Sequence, residues 1–96
     1  MKLVEFKKSD KPEKKYMATF ESDSGRSRTT YFGDSSMDDY TLTHNKEQRE
    51  KYRSRHAKDL ETGDPTRAGY LSHYILWGAY PSVSKNLEYY EQKFNL

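Results

Sequence analysis

The side chains of this sequence with types suited to chemistry are His44, His56 and His73, the adjacent carboxylates Asp38 and Asp39, the Ser72-His73 pair, and a run of cations between residues 46 and 58. The histidines are separated by 12 and 17 residues, there is no Cys, and no two of them stand one helical turn apart. That spacing lacks the close ligand pair of a zinc site. His56 shares a helical face with Tyr52 and Leu60, which fits a packed, hydrogen-bonded histidine better than a ligand. His73 falls between helix faces and its role stays open. A carboxylate pair doing acid–base work needs a controlled separation across a cleft, which neighbours in sequence do not provide unaided. Asp38 and Asp39 fit better as helix-start carboxylates or as partners of arginines. Ser72 and His73 point in different directions on a helix and no acid orients the histidine, so no nucleophilic dyad is expected. No catalytic residue, metal ligand or cofactor is expected.

The cations offer different chemistry. Residues 1–15 hold six Lys against three acids, and residues 44–60 hold six Lys and Arg against three acids. Between them, residues 16–43 hold two Arg and five acids. Two basic lobes are thus concealed in a net charge of only +2. Lys51, Arg55 and Lys58 cluster on one side of a helix. Lys7, Lys8, Lys14 and Lys15 in the N-terminal segment and Arg26 and Arg28 near Tyr31 are candidate companions for gripping a phosphate backbone. Against this, Glu47 with Lys51 and Arg55 with Asp59 read as i,i+4 pairs of a solvated helix, and the pI of 8.7 lies below the ~9 usual for nucleic-acid-binding domains. Arg49 and Arg53 border the packed face instead, where they would need a carboxylate. Tyr70, Tyr74, Trp77 and Tyr89 form a second candidate surface, for docking on protein, because Tyr is enriched at interaction hot spots. Rings inside with hydroxyls wet is the alternative.

The elements that must position these residues follow from periodicity. The 96 residues suffice for one domain, read as 1–33 β-rich, 34–44 connector and 45–96 three helices. Hydrophobic residues are only 32%, but nine Tyr, four Phe and one Trp supply large buried areas each. Leu3–Phe6, Lys15–Glu21 and Arg26–Phe32 are predicted strands, with a hairpin signal at Ser22-Asp23-Ser24-Gly25. One helical turn is expected within Met37–Thr43. A helix is predicted from the cap Asn45 to about Leu60, and a second from the cap Asp64, with Pro65 first, to Gly78. A third, capped by Ser82 or Ser84, carries the stripe Val83, Leu87, Tyr90 and Phe94. Gly69, inside the second helix, calls for a close crossing. The expectation is an α+β fold, a small two- or three-stranded antiparallel sheet followed by three helices. No apolar run approaches the ~20 residues of a membrane span, and no signal-peptide core is present, so an intracellular location is expected.

Four segments stand together: Tyr31-Phe32-Gly33 leading to Asp39-Tyr40-Thr41, then Tyr52-Arg53-Ser54-Arg55-His56, then Thr62-Gly63-Asp64-Pro65-Thr66 running on to Tyr74-Ile75-Leu76-Trp77, and the ending Glu91-Gln92-Lys93-Phe94. As a set they resemble a family of small proteins encoded by large DNA viruses of algae and amoebae. The resemblance spans residues 14–96 and implies a viral origin, hence the interior of an infected host cell, cytoplasm or nucleus, or the virion. It assigns no residue a role. The expected function is a non-enzymatic viral accessory or virion protein associating with nucleic acid. The alternative is a virion structural, minor-capsid-type protein docking on other virion proteins through its Tyr-rich helices.

Overall fold

The computed structural model describes residues 1–96. Strands β1 (Lys2–Lys8), β2 (Lys14–Glu21) and β3 (Ser27–Asp34) form an antiparallel meander in the order β1-β2-β3. Alternation decides the faces. Phe6 stands opposite Ala18, Tyr16 opposite Phe32, and Ala18 opposite Thr30, so these side chains share one side. Ala18, Phe20 and Phe32 on that side are buried in the core, and the Phe6, Tyr16 and Phe32 rings cluster at centroid separations of 5.4–6.0 Å. The hairpin forms where the Ser-Asp-Ser-Gly signal placed it. Ser22 N–H donates to Arg26 O at 2.8 Å, and Gly25 takes φ +85°, a conformation glycine adopts without a Cβ clash. The outer strand β1 carries a bulge between Leu3 and Glu5, so Val4 has no partner in the ladder and is exposed.

The helical layer lies over the Phe20/Phe32 side of the sheet, closing on Leu71, Ile75, Leu76 and Tyr90. It begins with the single turn α1 (Tyr40–Thr43), capped by Asp39. Helix α2 (Lys46–Arg55) is capped by Asn45, whose Oδ1 accepts from Gln48 N–H at 3.0 Å. The expected helix to Leu60 stops short. At His56 the backbone leaves helical geometry and a 3-10 turn, Ala57–Leu60, follows. Such tightening satisfies the last carbonyls of a helix through shorter-range bonds, here Asp59 N–H to His56 O and Glu61 N–H to Lys58 O.

The second predicted helix is where sequence and structure part most. Asp64 caps no helix. Its Oδ1 accepts from Thr66 N–H at 2.9 Å and Thr66 Oγ1 at 2.6 Å, closing a local turn, and Arg67 is extended. The carbonyls that a helix starting at Pro65 would use are already occupied: Pro65 O accepts from the Tyr90 hydroxyl and Thr66 O from Thr30 Oγ1. Helix α3 (Ala68–Leu71) therefore starts later and widens at once into a π-helical turn, Ser72–Leu76, marked by Trp77 N–H donating to Ser72 O five residues back at 3.0 Å. Gly69 meets the expected close crossing, since a Cβ there would lie 2.7 Å from Asp59 Cβ.

Helix α4 (Val83–Phe94) starts at the cap Ser82 and ends at Asn95, which takes φ +54°. Of its predicted stripe Tyr90 is fully buried, while Val83, Leu87 and Phe94 pack half-buried around it. Asn86, one turn before Tyr90, is also buried. Its Nδ2 donates to Ile75 O (2.8 Å) and Tyr80 O (2.7 Å), and its Oδ1 accepts from Tyr80 N–H (3.0 Å). That side chain holds the loop leaving the π turn.

Candidate functional site: a mixed-charge cleft beside an aromatic stack

The end of β3, the connector after it, α2 and the π turn enclose a cleft of about 620 Å³. Gly33 opens its sheet-side wall. At φ +80° it suits glycine, and a Cβ there would press on Leu76 Cδ1 at 2.8 Å. Asp34, Ser36, Met37, Asp38 and Asp39 line the cleft on that side. Asp39 is almost fully buried and does structural work. One carboxylate oxygen accepts from Thr41 N–H (2.8 Å) at the start of α1, and the other pairs with Lys15 Nζ at 2.6 Å. A buried charge requires such a partner. Lys15, expected among the phosphate-gripping cations, is therefore committed to Asp39. Asp34 Oδ1 accepts from both the amide and the hydroxyl of Ser36, and these bonds hold its carboxyl below the usual range. Asp38 is exposed and enters no ion pair.

The opposite wall is aromatic and cationic. The rings of His56, Tyr52 and Trp77 stack in series, with His56–Tyr52 centroids 4.2 Å apart and Tyr52–Trp77 centroids 4.4 Å apart. Burial, aided by the negative charge of Asp59, raises the Tyr52 hydroxyl above its ordinary pKa. His56 closes the outer end of the stack. Its Nδ1 lies 3.2 Å from Asp59 Oδ2, and its side chain is 44% exposed. The expected Arg55–Asp59 pair does not form, because Asp59 turns to His56. Arg55 lines the cleft with its charge free. Behind the stack lies His73, 5% exposed, with Nδ1 lacking a hydrogen-bond partner. Burial, followed by the nearby Arg53 charge, pushes its pKa down to about 4, so the ring is neutral near pH 7.

The other anticipated residues scatter. Lys7, Lys8, Lys14 and Arg26 are exposed along the sheet, with Lys7 3.6 Å from Glu5. Arg28 lies 3.8 Å from Asp64. Lys51 is exposed and 3.5 Å from Glu47, and Lys58 is exposed on the 3-10 turn. Arg49 and Arg53 are structural, but their partners are not Asp38 and Asp39. Arg53 Nη1 donates to Trp77 O at 2.9 Å. Arg49 has a carboxylate partner in its neighbour Glu50, at 3.0 Å from Nε, and its Nη1 reaches Gly78 O and Ala79 O at 3.4 Å while the guanidinium rests on the Tyr40 ring. Of the expected docking surface, Tyr70 and Trp77 are buried, Tyr70 with its hydroxyl on Leu60 O at 2.8 Å, and Tyr74 is half-buried against Tyr90 and Phe94. Only Tyr89 of that set is exposed, at 41%, joined by Tyr80 at 45%. The other three are not surface: Tyr70 and Tyr74 pack against α4 and Trp77 lies under Tyr52 of α2. Neither the Tyr52–Trp77 stack nor the Lys15–Asp39 pair left a local signal in the sequence, since each joins residues far apart in the chain.

A family of unknown function, DUF5754, matches residues 4–56. The chain belongs to that family. The matched stretch contains α1, α2 and all but the first two residues of the sheet, and with them Lys15, Asp38, Asp39, Tyr52, Arg55 and His56; Ser72, Leu76 and Trp77 complete the cleft from beyond it. No curated protein and no solved structure matches the chain. No group of three His, Asp or Glu side chains converges as a metal site would require, and no helix is long and apolar enough to cross a membrane.

Proposed function

We propose that this protein is a non-enzymatic nucleic-acid-associating protein that holds a phosphate backbone along the C-terminal end of α2. The observation that carries this reading is that Arg55 and Lys58, exposed and outside any ion pair, flank in sequence the partly exposed ring of His56 at the end of the Tyr52–Trp77 stack. Cations for phosphate beside a stackable ring are what single-stranded nucleic acid requires of a surface. The sheet-borne lysines add less than the sequence suggested: Lys15 is paired with Asp39, Lys7 lies beside Glu5, and the charge of Asp34 acts on Lys14 and Lys15. The resemblance to proteins of large DNA viruses extends the proposal to the interior of an infected host cell.

Fluorescence anisotropy with labelled single-stranded and duplex DNA and RNA, at low and at physiological salt, tests it. Binding is expected to weaken steeply with salt, and the combined change Lys51→Gln, Arg55→Gln, Lys58→Gln is expected to weaken it on all sequences and flatten the salt slope. Absence of binding at low salt overturns the reading. The exposure of Tyr80 and Tyr89 supports a second one, a virion structural protein docking on other proteins through α4, which that negative result would favour.

A further inference from the structure

The cleft itself is poorly suited to phosphate. Its sheet-side wall presents the carboxylates of Asp34 and Asp38, and a phosphate placed between them and Arg55 would meet repulsion on one side. Asp39 adds nothing to that balance, being neutralised by Lys15. The cleft therefore has one wall that accepts hydrogen bonds and, opposite it, one that offers positive charge and the ring of His56. A ligand complementary to all three has N–H donors at one end, a flat π-face and an anionic group at the other.

A nucleotide with an amino-bearing base meets that description. Aspartate accepts from the exocyclic amino groups of bases such as cytosine, and any base stacks on an aromatic face. The volume, about 620 Å³, lies within the roughly 300–1,000 Å³ of small-ligand sites. Resting on the nucleic-acid reading above, we propose that the cleft receives one unpaired nucleobase carrying an exocyclic amino group, stacked on His56 with its amino N–H donated to Asp38, while its phosphate stays outside at Arg55. Thymine and uracil present carbonyl oxygens where the amino group would be and so face the carboxylate with like partial charge.

Short single-stranded homopolymers of deoxycytidine, deoxyadenosine and deoxythymidine distinguish the outcomes in one titration series. The cytosine and adenine oligomers are expected to bind about tenfold more tightly than the thymine oligomer at equal salt, the scale of one good base contact. Asp38→Asn, at an exposed position outside any ion pair, is expected to abolish that preference by offering thymine a donor. His56→Ala is expected to weaken all of them without changing their order. Binding of every oligomer with equal affinity, unchanged by Asp38→Asn, overturns the cleft proposal and leaves backbone association standing. Failure of every oligomer to bind overturns both.

Discussion

Helices α2 and α4 are of similar length, 10 and 12 residues, and opposite in how they are held. Helix α4 inserts Tyr90 and Asn86 into the interior, while α2 buries no residue at all. What fixes α2 is a set of polar and stacking contacts to one short segment: Arg53 to Trp77 O, Arg49 to Gly78 O and Ala79 O, and Tyr52 on the Trp77 ring. Those carbonyls follow the π turn, and cations at such carbonyls complement the negative end of a helix. An element fixed by burial leaves little polar chemistry at its surface. An element fixed by two arginines and a ring keeps the rest of its charge for solvent and ligand, and the candidate site lies along α2.

The contrast is open to attack first at Tyr90. Tyr90→Ala removes a fully buried ring and its bond to Pro65 O, and is expected to cost about 4 kcal/mol in urea unfolding. A loss below about 1 kcal/mol would mean that α4 is not anchored by burial. Asn86→Ala leaves the groups of Ile75 and Tyr80 without their partner and is expected to cost about 2–3 kcal/mol.

His73 lies where both regions meet, facing Arg53, Asp59 and His56 on one side and the Tyr74 ring on the other. Its folded pKa of about 4 is below the ordinary 6.5, so the unfolded chain binds the proton more readily. Stability contributed by the neutral ring is fully present above pH 6.5 and is lost progressively as pH falls toward 4. The melting temperature of the native chain is expected to decline across that window more steeply than that of His73→Phe. Parallel declines in the two proteins would remove the effect from His73.

The smallest effects separate α2's own residues. Arg53→Ala is expected to cost about 1–2 kcal/mol, the loss of a charged hydrogen bond, with Arg49→Ala somewhat less because its bonds to the Gly78 and Ala79 carbonyls are longer and its shortest bond goes to the exposed Glu50. Lys51→Ala is expected to leave the unfolding midpoint unchanged. Equal effects at Arg53 and Lys51 would dissolve the distinction between the inner and outer faces of α2.

The sequence made the sheet legible because its signals are local. Tyr16, Ala18 and Phe20 alternate, Gly25 turns the hairpin, and Asn45 and Ser82 cap the helices expected of them. The candidate site was legible only in part: charge singles out Arg55, whereas the helical face of His56 argues for a packed histidine rather than a site residue. The rest depends on encounters between distant residues. Asp64-Pro65 looked like a helix start, and the side chains of Tyr90 and Thr30, 25 and 36 residues from their acceptors, decided otherwise. Lys15 looked free until Asp39, 24 residues on, took its charge.

The unpaired Val4 bears on how copies of the chain meet one another. Strand β1 has β2 on one side and solvent on the other. A straight outer strand is a template on which a second chain can extend the sheet. One extra residue, with Lys2, Lys7 and Lys8 beside it, throws the spacing of amide and carbonyl groups out of step and surrounds it with positive charge. Removing Val4 alone would restore an even row of donors and acceptors, and with it a route by which two copies could pair β1 to β1 that the present strand obstructs.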